Sequence, residues 1–451
     1  MIYPLIISLI VLLSYFKAIK YGHYVIDDED VSNAKLEPKN KWQKLWWQIM
    51  GRKYSDPQAE HLITTVIHLI NCLLVYYAFG HNNISFLTAL LFAVNPAGSQ
   101  GSVWLSGKGY SISAGLTLLV YWLFPPIYFL TSYFSFNALL APFLFIKGQW
   151  WWCFMILVYW KLAKGERGVA LERLENSTGK GRNLTIEKFI ISVKTIGYYF
   201  CLALFPVRLG IYHTFLYTYS LTEKDNKYWE RLDKFFWIGC VFLISFIYAW
   251  FFHYSKAVFG LYWFLLFIIQ WSNIITLNQS VAERYIYLPL MGMMYFLVNM
   301  IMMIPDYTWR MVAFFAVFVY YLTRLQLHIP MYYSIYNCID YGMLNFPDQY
   351  VYYTWLGQLN KRKGRFFTAL EAWMNGYKMR PIDFRLNNNI AVMLTDLGYL
   401  DDSEDFLKNA EENLLPEQRK GAQTYLDNER KRIAKAREIL RNKRIAEKIK
   451  K

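Results

Sequence analysis

Leu5-Ile6-Ile7-Ser8-Leu9-Ile10-Val11-Leu12-Leu13 lies inside an apolar stretch running from residue 1 to residue 17, and Tyr24-Val25-Ile26-Asp27-Asp28-Glu29-Asp30 follows it closely. About 20 apolar residues cross a bilayer as a helix. The first stretch therefore reads as a membrane span and the second as the loop leaving it. It is not a typical cleaved signal peptide, because no basic residue precedes the run and no small-residue cleavage site follows it. Comparable stretches recur near 60–79, 84–96, 109–124, 126–146, 149–163, 187–206, 234–253, 257–276, 286–304 and 309–328. The expected fold is all-α: a polytopic membrane bundle of about 11 spans over residues 1–330.

Composition agrees with this division. Of the 451 residues, 55% are hydrophobic, 19% aromatic and 18% charged, yet the net charge is +15. Soluble domains carry about 25% charged residues, so an ordinary soluble enzyme is disfavoured and a disordered chain is excluded. Residues 1–330 hold 27 Lys/Arg and 17 Asp/Glu, while the shorter 331–451 holds 21 and 16. The five cysteines are scattered, with no spacing for zinc or a disulfide framework.

Eleven spans put the two termini on opposite sides. The loops 18–59, 97–108, 147–148, 207–233 and 277–285 then share the C-terminal side, and the basic segment 164–186 falls opposite. Lys and Arg are more numerous in the C-terminal-side loops. Charge alone would place that side in the cytoplasm.

The acidic run Asp27-Asp28-Glu29-Asp30 is costly beside a bilayer. Crowded carboxylates raise one another's pKa, which suits a general base, and they also fit a divalent cation. Taken alone, the run reads equally as a solvated acidic turn. Lys41 to Met50 has apolar residues at helical spacing and reads as an interfacial helix. His61 and His68, seven apart, share one helix face in the second span. Asn95 to Lys108 combines Pro, Gly, hydroxyls and one ammonium, a composition that suits a phosphate or sugar. Arg208 stands at a membrane edge, where a guanidinium forks onto phosphate oxygens or simply snorkels. Glu283 and Arg284 open the tenth span and read as a structural ion pair or as part of a site.

Residues 350–383 match the tetratricopeptide pattern, with Tyr353, Leu356, Gly357, Gly364, Ala369, Trp373, Gly376 and Pro381 at its positions. A step of about 34 residues predicts a second repeat at 384–417. The tail is thus expected to hold a repeat domain at 331–417 and a basic helix at 418–451. That helix suits anionic lipid or another polyanion. No nucleic-acid motif accompanies it, and no nucleic-acid partner is expected.

In this order, the motifs resemble the tetratricopeptide-containing membrane O-mannosyltransferases of the GT-C glycosyltransferase superfamily. The residues carrying the resemblance are Tyr24 to Asp28, His61-Leu62 with His68 to Asn71, and Ala282 to Pro289 followed by Gly292. The 95–108 loop departs from the family, with Asn95 where His is usual and Ser99-Gln100 where Thr-Glu is frequent. The resemblance implies a polyprenyl-phosphate-linked sugar donor and a catalytic carboxylate in the first extracytoplasmic loop. Asp27 would deprotonate the acceptor hydroxyl with Asp28 as its partner. Arg208, Arg284 and Lys108 would hold the donor phosphate. Glu283, His213, Tyr285, Glu29, Asp30 and His61 would support the site. It also implies that the C-terminal side is extracytoplasmic, against the charge count. A polymerase or ligase of lipid-linked oligosaccharides, and a non-enzymatic scaffold recruiting partners through its repeats, are the competing expectations.

Overall fold

The computed structural model describes residues 2–25, 28, 56–122, 186–213, 232–252, 256–274, 281–413 and 416–449. The expected spans at 126–146 and 149–163, the 164–186 loop up to residue 185, and the interfacial helix at 41–50 lie outside these residues. Every regular element among the described residues is a helix.

The sequence starts its helices with strong local signals. Asp56 caps α2 (Pro57–Ala78) by accepting the N–H groups of Gln58 and Ala59, with Pro57 in the first turn. Asn82 and Ser85 form a capping box at α3 (Asn83–Val94). Asp306 caps α9 (Tyr307–His328) through Trp309. The remaining elements of this part are α1 (Ile2–Tyr21), α4 (Lys108–Trp122), α5 (Ile186–Leu204), α6 (Lys234–Phe252), α7 (Lys256–Ile268) and α8 (Tyr287–Met302).

Three of these helices are long and apolar enough to cross a membrane: α1, α2, and α9 with its short extension to Tyr333. Five shorter apolar helices accompany them, so the described part shows three full-length candidates where eleven spans were expected over the whole chain. Exposed apolar stripes run along α1 (Leu5, Leu9, Phe16), α6 (Trp237, Val241, Ile244) and α9 (Trp309, Val312, Phe315). Such continuous apolar surface marks a membrane protein. Glycines let the helices approach: a Cβ on Gly260 of α7 would come within 2.6 Å of the Gly292 carbonyl of α8. Trp263 adds an N–H bond to the Leu288 carbonyl at 3.0 Å.

Contacts fix the directions. Lys20 at the end of α1 meets Gln58 at the start of α2, and Tyr3 meets Tyr76. Tyr15 reaches the Ala93 carbonyl at the end of α3. The start of α4 meets the start of α2 through Lys108 and Glu60, and its end meets the far end of α2 through Trp122 and Tyr77. The ends of α1, α3, α7 and α9 and the starts of α2, α4 and α8 therefore share one end of the bundle.

One expectation is corrected. With 187–206 as an ordinary span, the chain would enter it from the side opposite this end. Instead Ser192 and Thr195 in the first half of α5 bond Ser272 and Asn273, next to Trp271, which stacks on Tyr285 before α8. Helix α6 packs closely against it, through Lys194 with Asp233, Phe200 with Phe242, and Gly197 and Gly239, each of which lies against the backbone of the other helix. Further along α5, Tyr199 bonds Ala282 and the Ala203 carbonyl accepts from Asn95, so α5 runs along the end shared by α2, α4 and α8 instead of entering it from the opposite side. Ser192, Lys194 and Thr195 are the physical reason. Placed in lipid they would cost several kcal/mol, whereas here they are buried against polar partners.

Beyond Tyr333 the chain continues as α10 (Ile335–Asn345), α11 (Tyr350–Arg362), α12 (Phe366–Met379), α13 (Phe384–Leu397) and α14 (Leu400–Glu412). The pair α11–α12 recurs in α13–α14 at the interval the sequence predicted, and Gly364 and Gly398 adopt positive φ (71° and 85°) at the two turns. Trp373 donates to the Thr354 carbonyl and fills the space a side chain on Gly357 would need. The long α15 (Pro416–Ile449) packs Leu426 and Ile433 on Leu400, Leu407 and Ala410. Arg430, Arg432 and Arg437 pair with Glu411, Asp396 and Asp401.

Candidate functional site

The shared end of the bundle carries a connected polar layer, and the segment from Asn95 to Lys108 runs through it. Pro96 and the glycines break α3 as expected. The segment then folds into three short helical turns, Pro96–Gly98, Ser99–Ser102 and Leu105–Gly107. Asn95 donates to the Ala203 carbonyl (2.9 Å) at the end of α5. Gln100 donates to the Gly210 carbonyl (3.0 Å) and accepts the Arg284 backbone N–H (3.2 Å). Segments that are far apart in sequence thus meet on one stretch of backbone.

At one edge of the layer, Asp28 is fully buried. Its carboxylate accepts the Ser106 hydroxyl (2.5 Å), the Ser106 N–H (3.0 Å) and the Val25 N–H (2.9 Å). Of the acidic run only Asp28 belongs to the described residues; Asp27, Glu29 and Asp30, and with them most of the candidate cation site, lie outside. Among the described residues no group of three His, Cys, Asp or Glu side chains is arranged to hold a metal ion.

Lys108 is 2% exposed and forms a buried ion pair with Glu60, at the start of α2, so its ammonium already faces a carboxylate within the protein. His61, the next residue along α2, lies 3.3 Å from the His23 carbonyl. His68, one face-repeat deeper, bonds the Tyr287 hydroxyl at 2.7 Å.

At the other edge, Glu283 is the centre. Its Oε1 accepts the Gly210 backbone N–H at 2.6 Å and faces His213 Nε2 at 3.0 Å. Its Oε2 lies 3.7 Å from His328 Nε2 at the end of α9. The other His213 nitrogen meets the Tyr198 hydroxyl at 2.6 Å. All of these atoms sit away from solvent. Burial pushes the Glu283 carboxyl above its ordinary value of 4.5, while the His213 bond and the Gly210 N–H pull it back down. The expected Glu283–Arg284 ion pair is therefore not the main contact of Glu283.

Arg284 stands among aromatic rings. Its guanidinium carbon lies 4.9, 5.5 and 5.8 Å from the ring centres of Tyr285, Trp104 and Tyr110. Tyr285 stacks on Trp271 at 4.2 Å with an interplanar angle of 4°. Arg208 is exposed on the turn after α5, close enough to act electrostatically on the Tyr198 hydroxyl. The layer thus gathers Asp28, His61, Lys108, Arg208, His213, Glu283, Arg284 and Tyr285 at one end of the bundle.

Several participants carried no signal in the sequence reading. Glu60 and His328 are single polar residues at the ends of apolar helices. Gln100, Ser106, Trp104 and Tyr110 belong to or border a segment that was legible only as a whole. Gln349, which caps α11, and Tyr352 within it carry no motif of their own. Comparison of this chain with protein-family models, curated proteins and solved structures finds no match.

Proposed function

We propose that the chain is an integral-membrane glycosyltransferase. It moves a hexose, mannose-like in the resemblance, from a polyprenyl-phosphate donor to a hydroxyl of a protein or glycan acceptor. The observation supporting this reading is the convergence of Val25 and Asp28 with the 95–108, 208–213 and 283–285 segments in one polar layer at one end of an apolar bundle. A lipid-borne phosphate sugar needs such a place, with its chain in the bilayer and its head group at the edge.

In this proposal Asp27 takes the proton of the acceptor hydroxyl as that oxygen bonds the anomeric carbon. The bond from the anomeric carbon to the phosphate oxygen breaks, and the polyprenyl phosphate leaves with greater negative charge. Arg208 and Arg284 stabilise that charge. Asp28, the residue after Asp27 in the sequence, is tied to Ser106 and Val25 and anchors the end of this segment in the layer. Lys108 is omitted from the phosphate set because Glu60 engages it. Residues 1–330 would form a GT-C-like bundle and 331–417 a tetratricopeptide-like unit, both the site and the repeats facing the extracytoplasmic side.

The test is incubation of the purified chain with a radiolabelled polyprenyl-phosphate hexose and a hydroxyl acceptor. Transfer with release of polyprenyl monophosphate supports the reading, and Arg208→Ala should raise the donor KM. Consumption of only a diphosphate-linked oligosaccharide would move the chain to the polymerase or ligase class. Protease digestion of the tail in intact cells decides the side.

A further inference from the structure

The turn from Leu209 to His213 has few internal backbone bonds, yet its polar groups are engaged one by one from outside. Glu283 takes the Gly210 N–H, and Gln100 bonds the Gly210 carbonyl. Tyr352 of α11 grips the next exposed peptide groups from both sides: its hydroxyl accepts the Tyr212 N–H (2.9 Å) and donates to the Tyr212 carbonyl (3.0 Å). Gln349, just before α11, donates to the His213 carbonyl (3.0 Å). Two glycines make room for this grip. A Cβ on Gly210 would stand 2.9 Å from the Tyr352 hydroxyl, and one on Gly342 would stand 2.1 Å from the Tyr352 ring. Phe346 completes the seat against the His213 ring at 4.7 Å. Repeat helices that only recruit a partner have no need to hydrogen-bond the backbone of a turn in the membrane part.

We infer that Tyr352, assisted by Gln349, is a positioning residue of the site: the C-terminal helices hold the 209–213 turn and thereby place Arg208 for the donor phosphate. The half of the inference that concerns the phosphate rests on the proposed function; the grip on the turn does not.

The experiment uses the full chain in nanodiscs and Tyr352→Phe, which keeps the ring in its Gly342 seat and removes only the hydroxyl. Hydrogen exchange is read over residues 208–213. Loss of two hydrogen bonds should speed exchange of the Tyr212 amide by about tenfold. Unchanged exchange overturns the grip. Binding of polyprenyl monophosphate is then measured in the same discs. Tyr352→Phe should weaken it several-fold in the parent chain and add nothing in an Arg208→Ala background, because coupled sites are non-additive. Additive losses overturn the placement of Arg208. Tyr353→Phe, altering the adjacent hydroxyl, should change neither reading. Gln349→Ala supplies the same exchange test if Tyr352→Phe fails to fold. If the parent chain binds no polyprenyl phosphate, the proposed function fails while the exchange result still decides the grip.

Discussion

Glu283 accepts the Gly210 backbone N–H at 2.6 Å, so the turn after α5 is tied to the turn that opens α8. The same carboxylate oxygen faces His213 and the other faces His328, and one buried group thus joins the turn after α5, the start of α8 and the end of α9.

Glu283→Ala strands these donors in a region without solvent. It should cost about 2–4 kcal/mol, the penalty for buried polar groups and charges that lose their partner. Glu283→Gln probes the charge alone. Burial raises the Glu283 pKa above 4.5, so the native state holds the proton more tightly than the unfolded state. Its contribution is fully present below 4.5 and is lost as pH rises through the folded pKa. Thermal unfolding should therefore show Glu283→Gln gaining on the parent chain as pH climbs from about 4.5. A difference in melting temperature independent of pH would contradict this.

Lys108 and Glu60 form a buried pair of opposite charges. Removing one partner, by Lys108→Met or Glu60→Gln, should destabilise the chain by about 3–5 kcal/mol. Replacing both with apolar residues should restore most of that loss. The measurement is detergent-solubilised thermal unfolding of the two single variants and the double variant, and equal losses in all three would count against it.

Asp28 supplies the only described acidic side chain of its run, and its carboxylate is saturated by Ser106 and Val25. Asp28→Ala should loosen the 103–108 segment, seen as faster hydrogen exchange there, and cost about 1.5–3 kcal/mol. Asp28→Asn should be milder, because the amide oxygen can still accept. A change confined to catalysis with no effect on exchange would show that Asp28 acts directly on substrate.

The α7–α8 contact is set by glycine. Gly260→Leu forces a side chain against the Gly292 carbonyl and the Phe296 backbone. It should destabilise the chain by about 1–3 kcal/mol or more, as overpacking does. Gly364→Ala at a turn with open space around it is strained only by its positive φ and should cost less.

Much of this arrangement was readable in the residues. Apolar length located α1 to α4, α6, α8 and α9 to within a few residues, because a lipid-facing helix must be apolar throughout, whereas α7 ends eight residues before the expected 276. The 34-residue interval located α11 to α14, since the turn glycines Gly364 and Gly398 recur at that spacing. The course of α5 along the shared end was not readable. Its hydropathy resembles that of a span, and Lys194 betrays a different setting only once Asp233 is known to face it. The site was legible as segments rather than as partners. Glu283, His213 and Arg284 stand out through motif and charge, but the pairing of Lys108 was not readable, because nothing in the local pattern links it to Glu60, 48 residues earlier. Tyr352 was hidden for the same reason: an aromatic residue in a repeat helix looks like core until its hydroxyl is seen on the Tyr212 backbone.

Sugar transfer by the purified chain in nanodiscs, parent against Asp27→Asn, with polyprenyl-phosphate hexose as donor, tests the proposed chemistry most directly. The parent should transfer the sugar, and Asp27→Asn should lose about a hundredfold or more at unchanged folding and donor binding, as expected for removal of a general base. Transfer at the parent rate by Asp27→Asn would contradict it.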